Sequence, residues 1–251
     1  MSSILITGAS KGVGRATAAE LAKRGHRVIA TARDPRSLDG LDVAERLRLD
    51  VTDQASVDAA IKDAGEIDTL ISNAGAIFAA AVEASPLDEI ERLYAHNTVG
   101  AIRVTQAVLP QMRQRNKGRL IFVSTVGGRT VNPSQAAYAA TKWALEAFGE
   151  TLALELVGFG IDVTLAEPGP ISSGALDDVL SYRLPDDPYA ALLDGPGIPA
   201  EIMSSPEQVA AVLADLVERP EVPLRVPVGP VAEHVINARN SAPWDRPFVL
   251  G

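Results

Sequence analysis

The chain of 251 residues contains no cysteine, which excludes disulfides and thiolate chemistry and leaves zinc only nitrogen and oxygen ligands. Its three histidines, His26, His96 and His234, have no close ligand-type spacing, so no metal site is expected. Basic residues are in deficit: 23 Lys and Arg stand against 32 Asp and Glu, a net charge of −9. That balance argues against a surface built for nucleic acid or anionic lipid, while leaving room for a local basic pocket. No run of eighteen apolar residues is present to span a bilayer. The first residues enter a strand-like run with no charged leader or cleavage pattern, so a soluble, cytoplasmic protein without nucleic-acid or membrane partners is expected.

What is present suits a single globular α/β domain over residues 1–251, since 47% of the residues are hydrophobic and the length supports a sizeable core. Short β-rich runs alternate with helical patterns. "SILIT" precedes a helix to Arg24; "RVIATA", "RLRLDV", a helix over Asp53 to Ala64 and "IDTLIS" follow. The second half predicts one helix from about Pro86 to Gln114, then "GRLIFVST", a helix from about Gln135 to Val157, "IDVTLAEPG", a helix from Pro206 to Arg219 and "LRVPVG". Strand and helix in repeated alternation predict a Rossmann-type doubly wound parallel sheet of about seven strands, with helices on both faces and the ligand at the carboxyl ends of the strands. Residues 171–205, rich in Pro, Gly and Asp, break the pattern and read as a substrate lid or a disordered stretch.

The first strand-to-helix turn is "TGASKGVG", with Gly8, Gly12 and Gly14 spaced GxxxGxG. Glycine lets backbone approach a bound group, and the N–H groups and dipole at a helix start favour an anion, here a pyrophosphate. The plainer alternative is a turn that uses glycine only for tight packing.

On these residues and four further motifs the sequence resembles the short-chain dehydrogenase/reductase family, from Thr7 to about Ser173. "NAG" (Asn73, Ala74, Gly75), "DV" (Asp50, Val51), "HNTVG" around Asn97, "YAATK" from Tyr138 to Lys142, and "PGPI" (Pro168, Gly169, Ile171) follow in the family's order. The resemblance implies a dinucleotide held by Gly8, Ser10, Lys11, Gly12, Val13 and Gly14 at the turn, by Asp50 and Val51 beside the adenine, and by Asn73, Ala74 and Gly75 beneath it. It further implies cofactor contacts from Tyr138 and Lys142, and from Pro168, Gly169, Ile171 and Ser173 at the nicotinamide.

The end of the second strand, "VIATARDP", has Ala32 where an acid would hold the ribose 2′-OH of NAD, and Arg33 after it. With Lys11 as a second cation, NADP(H) is the expected cofactor, because a charge-assisted pair to a 2′-phosphate is strong. Asp34 is the objection; followed by Pro35, it reads better as the opening of a turn.

Tyr138 and Lys142 lie four apart on one helix face. A nearby ammonium and an oxidised nicotinamide would favour the tyrosinate and allow proton transfer near neutral pH. In the family a hydroxyl thirteen residues before the tyrosine binds the substrate oxygen. Here that position is Thr125 in place of the usual serine, with Ser124 as a competitor that an extended strand would turn the other way. Asn97 corresponds to the asparagine that links the lysine to solvent through water, or else is a buried amide satisfied by backbone; His96 reads as packing.

The expected activity is hydride transfer between NADP(H) and a ketone, aldehyde or alcohol, probed against the alternative of a non-catalytic NADP-binding regulator. Loss of Tyr138 or Lys142 would have favoured the regulator, and both are present. The branch resembled is that of 17β-hydroxysteroid-type dehydrogenases and bacterial ketone reductases. Leu176, Leu180, Tyr182, Tyr189, Leu192 and Leu193 suggest an apolar substrate under the lid. Trp143, Leu145, Phe148, Leu152, Leu154 and Leu156 make the helix after Tyr138 broadly apolar, which predicts a homodimer or homotetramer. Trp244 and Phe248 would anchor the C-terminal stretch.

Overall fold

The computed structural model describes residues 1–172, 179–194, 198–243 and 245–248. The first half contains β1 (Ser3–Ile6), α1 (Gly12–Lys23), β2 (Arg27–Ala32), β3 (Glu45–Arg48), α2 (Gln54–Ala64), β4 (Thr69–Ser72), β5 (Phe78–Ala80), α3 (Leu87–Tyr94) and α4 (Gly100–Arg115). The second contains β6 (Gly118–Val123), α5 (Ala136–Glu155), β7 (Ile161–Pro168), β8 (Leu180–Tyr182), α6 (Ala190–Leu193), α7 (Pro206–Glu218), β9 (Arg225–Val228) and α8 (Ala232–Ser241).

Seven strands form one sheet in the order β3-β2-β1-β4-β6-β7-β9, every pairing parallel. Parallel strands buried on both faces need apolar residues at successive positions, and alternate side chains then serve opposite layers. Ile4 and Ile6 face Ala18 and Leu21 of α1 and Val209 and Leu213 of α7. Leu5, between them, joins Ile29, Leu70 and Phe122 against Val57, Val104 and Leu145 from α2, α4 and α5. Helix starts follow local chemistry: Asp53 accepts hydrogen bonds from the Ala55 and Ser56 N–H groups ahead of α2, and Ser205 with Gln208 forms a reciprocal capping box ahead of α7. After β1 the chain goes to β2 on one side, and β4 lies on the other. The crevice at their carboxyl ends is the usual ligand position in such sheets.

Three features differ from the sequence reading. The helix expected over Pro86 to Gln114 is broken by a π-helical turn, Ala95–Val99, between α3 and α4. Its residues are fastened sideways, Asn97 to Ala76 and Thr98 Oγ1 to the Thr141 carbonyl, and these tertiary bonds outweigh the regular i→i−4 pattern. Helix α8 also went unread, although Ala232, Val235 and Ile236 carry its buried i, i+3, i+4 stripe.

The third difference lies in residues 171–205, which include real elements. β8 pairs in parallel with β5, and Phe78 meets Tyr182 edge-on at 5.4 Å between ring centroids. Ile171 bridges to Ser204, so the excursion begins and ends at one place. Ser173, Leu176 and Trp244 lie outside the described residues. In α5, Leu145, Leu152 and Leu156 are buried in the chain's own core and Phe148 packs edge-on against Phe122. Trp143 is half-exposed, while Leu154 and Val157 remain 72% and 76% exposed. The uncovered apolar surface is therefore narrower than the sequence suggests. Among the described residues no helix is long and apolar enough to cross a membrane.

Candidate active site

The glycine turn is shaped from below by β4. Thr7 Oγ1 accepts the N–H groups of Asn73 and Ala74, both at 3.0 Å, and Asn73 Nδ2 donates to the carbonyls of Thr7 and Gly8 at 2.9 and 3.1 Å. Gly8 and Gly12 adopt positive φ of 69° and 56°, where a side chain is strained. A Cβ on Gly14 would collide with the Gly8 carbonyl and come within 2.5 Å of Asn73 Nδ2. Glycine is thus required on steric grounds at the turn. α1 starts at Gly12 with no side chain capping it and no acid in its first turn, which leaves its N-terminal dipole suited to an anion.

A cleft of about 430 Å³ runs from this turn along the carboxyl ends of the strands. It gathers Gly8, Ser10, Lys11, Gly12, Val13, Gly14, Arg33, Val51, Asn73, Ala74, Gly75, Thr125, Tyr138, Lys142, Pro168, Gly169 and Ile171. A long, strand-end cleft with a glycine cradle at one end and hydroxyls at the other fits a dinucleotide. Asp34 is not among its walls: its carboxylate caps the short turn Pro35–Leu38 and pairs with Arg36, as its neighbouring proline suggests. Ala32 and Arg33 do line it.

Asp50 departs from the expectation. Leu49 and Val51 form the wall, whereas Asp50 turns away and accepts from the Thr52 N–H at 2.9 Å and the Thr52 hydroxyl at 2.7 Å. Burial acts to raise its pKa, yet the Thr52 bonds together with Arg33 and His96 leave it below the ordinary carboxylate value. Those bonds support the turn that carries Val51 into the wall. His96, read from sequence as packing, also lines the cleft; burial lowers its pKa, and its Nδ1 is enclosed without a hydrogen-bond partner.

At the other end, Thr125 follows β6 in extended backbone. Its Oγ1 accepts from the Gly127 N–H and donates to the Pro168 carbonyl, both at 3.2 Å, tying the end of β6 to the end of β7. Thr125 is also the neighbouring hydroxyl that acts to lower the Tyr138 pKa. Ser124 also lines the cleft, but its Oγ is buried without a partner beside Gly128, whose added Cβ would lie 2.9 Å from Ser124 Oγ and 3.0 Å from Glu146 Cγ. The strand alternation therefore brings Thr125, and not Ser124, to Tyr138.

Lys142 lies one helical turn beyond Tyr138, its Nζ 5.9 Å from the tyrosine ring centroid and donating to the Val123 carbonyl at 2.8 Å. Burial pushes Lys142 down to about 8, with Glu146 acting against the shift. Burial also pushes Tyr138 up to about 12, with Thr125 acting against it. Of the two effects, loss of water from around the phenol is the larger. Asn97 Oδ1 accepts from the Ala76 N–H, and its Nδ2 donates to the Ala76 carbonyl and to Thr141 Oγ1. Asn97 thus stands behind the cleft wall. The place of the missing Gly75 Cβ is 3.8 Å from Asn97 Oδ1 and 3.9 Å from Lys142 Nζ. Further walls that sequence reasoning missed include Ile77, Val126, Asn132, Gln135 and Ile198. They sit in loops that only tertiary structure brings to the cleft.

Sheet, glycine turn and clustered hydroxyls define a Rossmann-type α/β protein with a strand-end catalytic cleft. A family profile described as short chain dehydrogenase matches residues 2–182. The 3-ketodihydrosphingosine reductase of Bacteroides thetaiotaomicron is 34% identical over 240 residues, covering 92% of this chain and 88% of the relative. Human 17-beta-hydroxysteroid dehydrogenase type 1 is 33% identical over 250 residues, covering 88% and 76%. The crystal structure of a short-chain dehydrogenase from Streptomyces avermitilis superposes with a TM-score of 0.82 at 33% identity, covering 94% of this chain and 92% of that one. The chain belongs to the short-chain dehydrogenase family.

Proposed function

We propose that the protein is an NADP(H)-dependent oxidoreductase that interconverts an apolar ketone or aldehyde and the corresponding alcohol. The observation that carries this reading is the gathering of Thr125, Tyr138 and Lys142 in one cleft that begins at the glycine turn. The bound nicotinamide supplies or accepts the hydride. In this reading Gly8, Ser10, Gly12, Val13 and Gly14 face its diphosphate, Lys11 and Arg33 its 2′-phosphate, Val51 its adenine, and Asn73, Ala74 and Gly75 the floor. Pro168, Gly169 and Ile171 face its carboxamide, joined by Ser173 from outside the described residues.

Tyr138 gives a proton to the substrate oxygen in reduction and takes it in oxidation, while Thr125 donates a hydrogen bond to that oxygen. Lys142 holds the tyrosine's electrostatic environment and the nicotinamide ribose. Asn97 shapes the space beside Gly75 in which a water can join Lys142 to solvent. Ile77, Val126, Pro170 and Ile198 give the substrate end an apolar lining, and the two relatives above are named for 3-ketodihydrosphingosine and a 17-beta-hydroxysteroid. Among the described residues of the 171–205 stretch, Ile171 and Ile198 line the cleft and β8 pairs with β5, which supports reading that stretch as a substrate lid. The exposed Trp143, Leu154 and Val157 on and just beyond α5 support a homodimer or homotetramer in which another copy covers them.

The test is a side-by-side fluorescence titration with NADPH and NADH, followed by an NADPH-coupled screen of ketones and aldehydes. Tight NADPH and weak NADH binding, with at least a hundredfold loss of turnover in Tyr138→Phe, is the expected result. Binding of neither nucleotide, or near-native turnover by Tyr138→Phe, overturns the reading.

A further inference from the structure

Two side-chain amides line the cleft without a part in the proposed reaction. Asn132 and Gln135 lie in the connection between Thr125 and α5, Asn132 exposed and Gln135 half-buried. Their backbone is held in place. The Gln135 N–H donates to the Asn132 carbonyl at 3.3 Å, the Ala139 N–H to the Gln135 carbonyl at 2.8 Å, and the Ala80 N–H of β5 to the Ser134 carbonyl at 2.9 Å. Ser134, between the two amides, has a φ of 65°, a left-handed conformation that costs a non-glycine residue and persists where its surroundings impose it. The amide groups themselves are uncommitted. Gln135 directly precedes α5 but its side chain does not cap the helix, and neither amide hydrogen-bonds a described residue.

Gln135 and Lys142 flank Tyr138 along α5, three residues before it and four after, so the three share one side of the helix. With Lys142 at the nicotinamide ribose, Gln135 lies on the opposite side of the tyrosine, where the substrate extends. The other polar groups of the cleft have places already. Ser10, Lys11 and Arg33 serve the cofactor, Asn73 is bonded to the Thr7 and Gly8 carbonyls, and Ser124 Oγ is enclosed beside Gly128. His96 belongs to the Val51 end, because a Cβ on Gly100, one turn beyond it, would lie 2.7 Å from Val51 Cγ2. An amide offers a donor and an acceptor and carries no charge, which suits a hydroxyl or a carbonyl. A carboxylate would call for a cation, and Arg129, in the same connection, is engaged by Glu167 at 3.3 Å and does not line the cleft.

We propose that the substrate bears, besides the carbonyl that reacts, a second uncharged oxygen two or three carbons away, a hydroxyl or carbonyl, and that Gln135 and Asn132 bind it. The spacing follows from the helix, on which side chains three apart are about 5–6 Å apart at Cβ. The inference rests on Tyr138 serving the reacting oxygen and deepens that reading by naming a further functional group of the substrate.

NADPH oxidation by the full-length chain is followed with decan-2-one, 4-hydroxydecan-2-one, decane-2,5-dione and 4-oxodecanoate. The two substrates with a second neutral oxygen are expected to exceed decan-2-one in kcat/KM by roughly tenfold, a modest factor because water reaches a part-exposed amide when the substrate lacks its partner. 4-Oxodecanoate should gain nothing. Gln135→Met keeps the side-chain length and removes the amide; in it and in Asn132→Leu the advantage should shrink to about threefold, and in the double variant it should vanish. Each comparison is a ratio within one variant, so a general loss of turnover does not imitate it.

Equal kcat/KM for plain and oxygenated ketones in the native chain overturns the proposal and leaves the role of Tyr138 intact, as does a preference for the carboxylate. An advantage that survives in the folded double variant also overturns it. Should the double variant fail to fold, the single variants decide, and an advantage undiminished in both has the same meaning. A chain that binds NADPH and reduces none of the four sinks the proposal together with the reading it rests on.

Discussion

Asn97 holds the Ala76 peptide at both ends: its Oδ1 accepts from the N–H at 2.8 Å and its Nδ2 donates to the carbonyl at 2.9 Å. No other residue type of that size offers a donor and an acceptor side by side. Asn97→Ala leaves both groups of Ala76 without this partner, and thermal unfolding is expected to show a loss of about 1–3 kcal/mol. Asn97→Asp keeps an acceptor but sets a buried carboxylate oxygen against the Ala76 carbonyl, so its loss should be at least as large as that of Asn97→Ala.

Thr125 and Ser124 are adjacent, yet their hydroxyls have different surroundings. Thr125→Val removes the hydroxyl that neighbours Tyr138 and is expected to lower kcat by roughly 100-fold or more, on the scale of losing an oxyanion donor. Ser124→Ala removes a hydroxyl that has no partner, and kcat should stay within about threefold of native. Steady-state kinetics on one substrate decides between them, and a larger loss in Ser124→Ala reverses the assignment.

Arg33 lines the cleft just past Ala32, whereas Asp34 is occupied by Arg36. Loss of a hydrogen bond to a charged group is worth about 1.5–3 kcal/mol, so Arg33→Ala should raise the NADPH KM roughly 10- to 100-fold. The NADH KM should barely change. An unchanged NADPH KM removes Arg33 from the cofactor assignment.

Reduction requires Tyr138 in its protonated form and Lys142 charged. Tyr138, at about 12, is protonated over the whole working range, and Lys142, at about 8, is charged below that value. On the proposed mechanism the profile of kcat/KM for reduction should therefore be level on the acid side of about 8 and fall as pH rises through it. Lys142 also bears on stability. Its folded-state value lies below the ordinary 10.5, so the unfolded chain binds more protons between about 8 and 10.5, and this group's contribution to stability rises with pH over that window. Comparing Lys142→Met with the native chain by denaturant titration at pH 7 and 9 checks the sign.

The sheet was legible because its strands are short apolar runs between helical patterns, and the site because Gly8, Gly12 and Gly14 occupy a steric position and Tyr138 with Lys142 a periodic one. Each is a local property of the chain. The π-helical turn was not legible, since it depends on bonds from Asn97 and Thr98 to residues 21 and 43 positions away. The Thr52 bonds of Asp50 were not legible for a related reason: motif position does not say which local groups a carboxylate accepts from. β5 and β8 are three residues each, too short for an alternation to register. The direction of the Tyr138 shift required the depth of the cleft, which no spacing records.

Because the Gly8 turn is fastened to Asn73 and Thr7 by bonds already in place, the cradle is organised before any ligand arrives. A guest entering it meets donors already aimed and has little backbone to order. Calorimetry of nucleotide binding should accordingly report the contacts themselves, with little of the entropy loss that accompanies the folding of a loop around its ligand.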